Sequence, residues 1–182
     1  MFSRLCSILA LSLTVFQAVS STKLNITAIT AVDGVSRFEC WQLSTPFTSS
    51  TQPGLIGSHA LFLGDVANMT YTVVSSGFQS GLHAAPYNQW FFMVNGIGVI
   101  SLPDENSTTI TAGNSEPGLL FAADTAEFST KGHDSYNPGL TENILLQIPT
   151  AGGEIPDHEV LFDNQPCTVN EIKGLRDWAV GS

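Results

Sequence analysis

From residue 60 to residue 162, short apolar runs alternate with glycine and proline, and this rhythm restricts the chain to β-architecture. Residues 60–63, 69–74, 89–94, 97–102, 108–111, 119–122, 143–148 and 160–162 have strand length, and 38–43 (FECWQL) supplies an earlier, aromatic-rich candidate. Between them stand Gly64-Asp65, Gly77, Gly81, Pro103-Asp104, Gly113-Asn114, Pro117-Gly118, Pro138-Gly139 and Gly152-Gly153. A helix needs an apolar stripe sustained over several turns, which these breaks forbid. Many short strands at close spacing predict an all-β sandwich or barrel. Helical spacing occurs at the end, where Thr168 and Glu171 have capping-box separation and Ile172, Leu175 and Trp178 follow; a short C-terminal helix is expected there. Residues 22–29 are polar and read as a loosely held arm or an edge strand, and 45–57 as a loop.

A length of 182 residues suits one domain with a real core. Arg4, an apolar run over 5–16, and the small residues Ala18 and Ser20 have the order of a secretory signal peptide, so 1–20 are expected to be removed. That run is too short to span a bilayer comfortably, and no later one is long enough. The expected domain is 21–182, with its core at about 38–167. Cys6 leaves with the leader, so Cys40 and Cys167 remain. In an oxidising compartment they read as one disulfide tying the first strand to the C-terminal segment; two buried thiols are the alternative. Asn25, Asn68 and Asn106 each begin an Asn-x-Thr sequon and are candidate glycosylation sites. Six Lys+Arg against 16 Asp+Glu give a formal charge of −10, without the clustered cations that nucleic acid or an anionic membrane surface requires.

The chemistry gathers in 77–96, GFQSGLHAAPYNQWFFMVNG. If 81–95 stays extended, His83, Ala85, Gln89, Phe91 and Met93 share one face, while Trp90, Phe92 and Val94 share the other. The first face mixes polar with apolar groups, as a small-molecule pocket does. Core packing is the expected role of Trp90 and Phe92. A second stretch, 117–137, carries Asp124, His133 and Asn137. Asp157, His158 and Glu159 are adjacent and cannot converge from one strand face, so His158 is expected at the surface or behind a site, and His59 is read as structural. The sequence has no serine-nucleophile elbow, phosphate loop or CxxC pair.

Gly77, five residues, His83, one residue, Ala85, three residues, Gln89, six residues and Gly96 form a frame that resembles the first motif of the cupin superfamily, in which His-x-His and a glutamate stand between two glycines. Ala85 stands at the second histidine and Gln89 at the glutamate. His133 and Asn137 resemble the end of the second cupin motif. Ala123-Asp124-Thr125 and Lys131-Gly132-His133 are similar to a variant in small cupins, with Thr130 at the position of its first glycine. His83-Ala84-Ala85-Pro86, Gln89-Trp90 and Gln147-Ile148-Pro149 add a likeness to small secreted cupin-like proteins of fungi. The resemblance spans 77–137, extended by the strand pattern to about 162.

It implies a double-stranded β-helix, the cupin jelly roll, whose two motifs face each other and hold Fe, Mn, Ni, Zn or Cu through three histidines and a glutamate. Carried over by position, His83, His133 and Gln89 are the metal positions present. Two imidazoles and a neutral amide lack anionic ligands, so the expectation is no cofactor, or a weakly held divalent first-row metal. The same three are the expected catalytic residues: the histidines as acid and base, Gln89 orienting a substrate oxygen. Phe91, Met93 and Asp124 are expected in the substrate pocket. The resemblance points to non-oxidative chemistry on a small, largely apolar molecule, a cyclisation, isomerisation or lyase/dehydration step such as specialised-metabolite biosynthesis uses. Alternatives are a metal-dependent dioxygenase or related oxidoreductase, and a non-catalytic secreted binding or extracellular protein. A small-molecule ligand is the expected partner; a homodimer through outer strands is a further expectation, with Trp41, Trp90 and Phe92 as candidate contacts.

Overall fold

The computed structural model describes residues 22–103, 109–113 and 118–172. Their strands are β1 (Lys23–Val32), β2 (Val35–Pro46), β3 (Thr48–Ser49), β4 (His59–Ala60), β5 (Thr70–Val74), β6 (Gln89–Asn95), β7 (Gly98–Ser101), β8 (Thr109–Ala112), β9 (Leu119–Ala122), β10 (Asp134–Tyr136), β11 (Asn143–Pro149) and β12 (His158–Phe162). They form a seven-stranded sheet in the order β12-β2-β1-β9-β6-β11-β5, a three-stranded sheet β10-β7-β8, and a two-stranded ribbon of β3 and β4. The β1–β9 pair is parallel; the other named strand pairs are antiparallel. Apart from a 3-10 turn at Ala151–Gly153, helix begins at 169, and its capping box forms: the Thr168 N–H and hydroxyl donate to Glu171 Oε2 at 2.8 and 2.5 Å. The all-β class and the helix start are as expected. The expected leader over 1–20, the sequon at Asn106 and the helix beyond 172 lie outside the described residues.

The N-terminal region departs from expectation. β1 is neither an arm nor an edge; it lies inside the larger sheet between β2 and β9. Its polar character does not keep it at an edge, because Thr27 is buried beside Ile26, Ala28 and Ile29. Asp33 and Gly34, at φ of 52° and 82°, make the two-residue turn that joins β1 to β2, and Val32 pairs with Val35 across it. An Asp-Gly pair between apolar residues is a strong hairpin signal. The Cys40–Cys167 disulfide forms, and it ties the second strand, not the first, to the tail. Asn25 is half-buried, donating to the Glu171 carbonyl and accepting from Gln42, whereas Asn68 is exposed.

Strand alternation gives the larger sheet two apolar faces. On the inner face Ile29, Phe38, Met93, Leu120 and Leu145 pack with Ile100, Leu102 and Ala112, residues on or beside the smaller sheet. On the outer face Trp41, Trp90 and Phe121 form a second cluster, against which Leu61, Leu63 and Ile148 pack. Trp90 meets Phe121 edge-on at 4.9 Å, and His158 stacks on Trp41 at 3.6 Å. Trp41 and Trp90 are therefore interior residues and offer nothing to a second copy of the chain. Phe92, expected in the core, is 40 % exposed: its parity is as expected, but the outer cluster does not extend over it.

The turn from β6 to β7 needs Gly96. Its φ is +91°, and a Cβ there would sit 2.0 Å from Asn143 Oδ1. The Asn143 carboxamide closes on both backbone groups of Ile97, at 3.1 and 2.6 Å, and so pins the hairpin. Asn137 has a similar structural role. It is buried and donates to the carbonyls of Ser75 and Thr141 while accepting from the Gly139 N–H.

Candidate functional site

A cavity of about 480 Å³ opens between the sheets, within the size range of small-molecule sites. Inner-face residues of β6, β9 and β11, among them Phe91, Leu120, Ala122 and Leu145, make one wall. Ile100 and Ser135 from the smaller sheet face them. The lining is chiefly apolar, and its polar groups include His83, His133, Gln89 and Gln147.

His83 and His133 are brought together by backbone as well as by side chain. Each N–H donates to the other residue's carbonyl, at 2.9 and 3.0 Å, and the rings lie 4.8 Å apart between centroids. Gly132 permits this approach, since its φ is +71° and a Cβ there would fall 1.9 Å from the His83 carbonyl oxygen. Ala85, the next residue on that face, donates its N–H to the Asp124 carbonyl and bridges to Thr125. The chain is thus extended near 83–85, although strand β6 begins only at Gln89.

The two histidines have different surroundings. His133 is buried, 7 % exposed, with Nδ1 2.9 Å from Asp124 Oδ2. Asp124 is fully buried, and the same oxygen accepts from Ser36 Oγ at 2.7 Å. Ser129 contacts Ser36 at 2.7 Å and accepts from the Gly132 N–H at 2.9 Å, so the carboxylate and the glycine turn belong to one network. In the neutral ring, donation of Nδ1–H to the carboxylate leaves Nε2 of His133 with the lone pair. His83 is exposed, with Nδ1 2.9 Å from the Gly81 carbonyl, which again leaves Nε2 available.

Of the expected site residues, His83, His133, Gln89 and Phe91 line the cavity. Gln89 is buried, and among the described residues no group hydrogen-bonds its carboxamide. Asp124 is not a lining residue; it stands behind His133, because its side chain is drawn to Ser36 rather than into the space. Met93 belongs to the inner core and borders a smaller apolar cavity of about 60 Å³ beside the main one. Ser36, Ser129, Thr72 and Gln147 were not anticipated. Gln147 was legible, since it falls on the inward parity of its strand; nothing local marks Ser36, which lies 88 residues from Asp124.

The rim is latched by Asp134, next to His133. Gln79 Nε2 donates to Asp134 Oδ2 at 2.6 Å and Ser80 Oγ to Oδ1 at 3.0 Å, while the Ser80 N–H donates to the Ser135 carbonyl. Burial pushes the Asp134 carboxyl up, but these bonds and those from the Ser135 and Gly81 N–H groups outweigh it and hold its pKa below the ordinary value. A lowered folded pKa stabilises the latch above about pH 3.9, and the contribution disappears as pH falls through the folded value. The Ser80 and Gly81 amides, corrected for intrinsic exchange, are expected to lose hydrogen-exchange protection between about pH 5 and a pH below that folded value. In Asp134→Asn that acid step should vanish; equal wild-type protection at both pH values would show that the carboxylate does not hold the rim.

The donors do not fit the metal centre that the resemblance implies. Among the described residues no group of three or more His, Cys, Asp or Glu could hold an ion. Asp124 has one oxygen engaged by His133 and Ser36 and the other unpartnered, but it is buried behind His133 and does not line the cavity, and Gln89 is neutral, so charge neutralisation there is poor. Among the described residues no helix is long and apolar enough to cross a membrane.

Fold and site together define an all-β protein with an apolar cavity between sheets, at which two imidazoles face each other and a buried carboxylate backs one of them. No family model matches the chain, and no curated protein matches it either.

Proposed function

We propose that this is a secreted enzyme of cupin type, the two facing sheets forming a double-stranded β-helix, which runs acid–base chemistry on a small, largely apolar molecule. The observation that carries this is the pairing of His83 and His133 at the cavity, with His133 alone backed by Asp124. Its resemblance to cupin motifs supports the fold reading, and the chemically unequal histidines support the division of labour. His133 is the base: when Nε2 takes a proton from carbon, the Asp124 carboxylate compensates the charge gained and Nδ1 keeps its donor role. His83 in its protonated form is the acid, since its exposure lets solvent water return the proton it gives up. Gln89 offers a hydrogen bond to orient the substrate oxygen.

For an enolisable carbonyl compound, the C–H proton moves to His133 Nε2 and its electron pair forms the C=C bond. The carbonyl π pair takes the proton from His83 Nε2. Returning a proton at another carbon gives isomerisation; loss of a β-leaving group gives elimination; attack on an internal electrophile gives ring closure. The apolar walls exclude water and hold the reacting atoms in place.

The test uses 2-tetralone, a neutral ketone of suitable size, in D2O with proton NMR of its α-hydrogens. Wild type is expected to accelerate exchange about 100-fold over His133→Gln, the ordinary scale of a positioned base, and His83→Gln should also slow it. Ketone that binds with no faster exchange than in His133→Gln would leave a binding protein instead.

A further inference from the structure

Gln147 lies on β11 with its inward side chain in the same cavity as Gln89. Its backbone pairs with Phe91, two residues from Gln89, so the two glutamines are diagonal neighbours on one sheet face. Such neighbours stand about 7–8 Å apart, roughly the span of two fused six-membered rings. Thr72, on the adjoining strand β5, donates its hydroxyl to Gln147 Oε1 at 3.1 Å. In this arrangement the hydroxyl donates to the amide oxygen rather than accepting from its nitrogen. The oxygen is occupied, and Nε2 is left with hydrogens for which no described residue provides an acceptor. A half-buried donor at an apolar wall is complementary to an oxygen carried by a ligand.

Charge narrows the class further. Among the described residues no lysine or arginine lines the cavity, and the carboxylate of Asp124 stands behind one wall. A carboxylate or phosphate on the ligand would find no fixed cation among the described lining residues, the imidazoles being the acid–base pair itself. We infer that the ligand is a neutral, mostly apolar molecule with two oxygens: one at the His83, His133 and Gln89 end, and a second, accepting oxygen read by the Gln147 amide that Thr72 orients. This rests on the acid–base reading for the role of the first oxygen, whereas the second is a matter of binding alone. Gln147 is accordingly a specificity-determining residue, and Thr72 a positioning residue acting through it.

An isosteric ligand pair separates these claims. 6-Methoxy-2-tetralone and 6-ethyl-2-tetralone match in shape and ketone but differ in the accepting oxygen at the far end. Calorimetric titration of the full mature chain is expected to show the methoxy compound binding about five- to tenfold more tightly. In Gln147→Met, similar in size and without a donor, the preference should vanish or reverse, because the ether oxygen is then desolvated without a partner. Thr72→Val keeps the side-chain volume but frees the amide to turn over, and should lower the preference while both compounds still bind. Near-UV circular dichroism and melting temperature identify any variant that has lost its fold, and either variant suffices. Equal affinities in wild type, an unchanged preference in Gln147→Met, or failure of both ligands to bind would each overturn the inference. Exchange of the ketone's α-hydrogens is scored separately. A methoxy preference without exchange would remove the catalytic proposal and keep the two-oxygen ligand; exchange without a preference would do the reverse.

Discussion

Gly132→Ala is expected to destabilise the protein by about 3–6 kcal/mol and to separate His83 from His133. The position combines two demands. Its φ is +71°, which costs an L-residue roughly 1–2 kcal/mol. The added Cβ would also lie 1.9 Å from the His83 carbonyl oxygen, 2.1 Å from its carbon and 2.4 Å from the Ala84 nitrogen. All three are backbone atoms, so no rotamer change relieves the collision. The strands must move apart, and the two bonds between His83 and His133 go with them. Gly152→Ala is the control: φ there is +65°, and nothing lies within 4 Å of a new Cβ, so it should lose only about 1–2 kcal/mol. Denaturant titration of both variants separates backbone strain from close approach. Equal losses would mean that the contact at Gly132 relaxes freely, and the histidine pair would then not depend on it.

The strand rhythm was legible because its punctuation is physical. Gly64, Gly77, Gly81, Gly96 and Gly113 all adopt positive φ, where other residues are strained, so glycine breaks in the sequence mark turns in space. β1 was obscured because strand patterns are read from apolar residues, and a strand inside a sheet can bury threonine: Thr27 is covered on one face and Ala28 on the other. Asp33-Gly34 carried the missing information. β10, with the sequence Asp-Ser-Tyr, has no apolar run at all and is recruited by pairing to β7. At the site, positional likeness located both histidines, but not their inequality. That depends on which way Asp124 turns, and the turn is decided by Ser36 and Ser129. Ser36 reaches Asp124 only once the β1–β2 hairpin is in place, so sequence proximity contains no trace of it. Phe92 shows the same limit: alternation assigns it a face, but only the assembled outer cluster determines whether that face is covered there.

Removing the Cys40–Cys167 disulfide is expected to cost about 4–5 kcal/mol while leaving the ligand cavity in place. The bond joins residues 127 apart, and closing so long a loop restricts the unfolded chain strongly. Cys40 is fully buried on β2, so Cys40→Ala/Cys167→Ala also gives up some packing. For a domain of this size, the melting temperature should fall by about 10–15 °C. The location of the bond makes the loss selective. It fastens β2 to the segment that precedes the helix start, where the Cys167 N–H also donates to Thr27 Oγ1. Apart from Ile29 of β1, the larger sheet's share of the cavity wall comes from β9, β6, β11 and β5, which lie beyond β1 from β2 and are held by their own register. Well below the lowered melting temperature, the double variant should bind 6-methoxy-2-tetralone within about twofold of wild type, since loop closure acts on the unfolded state. Hydrogen exchange should quicken in 163–172 before it quickens in β6 or β11. A drop of less than about 1 kcal/mol would mean that the unfolded chain is already held compact without the bond. A large loss of binding at low temperature would mean that β2 and the tail set the cavity's shape, and that the two ends of the sheet are mechanically coupled rather than independent.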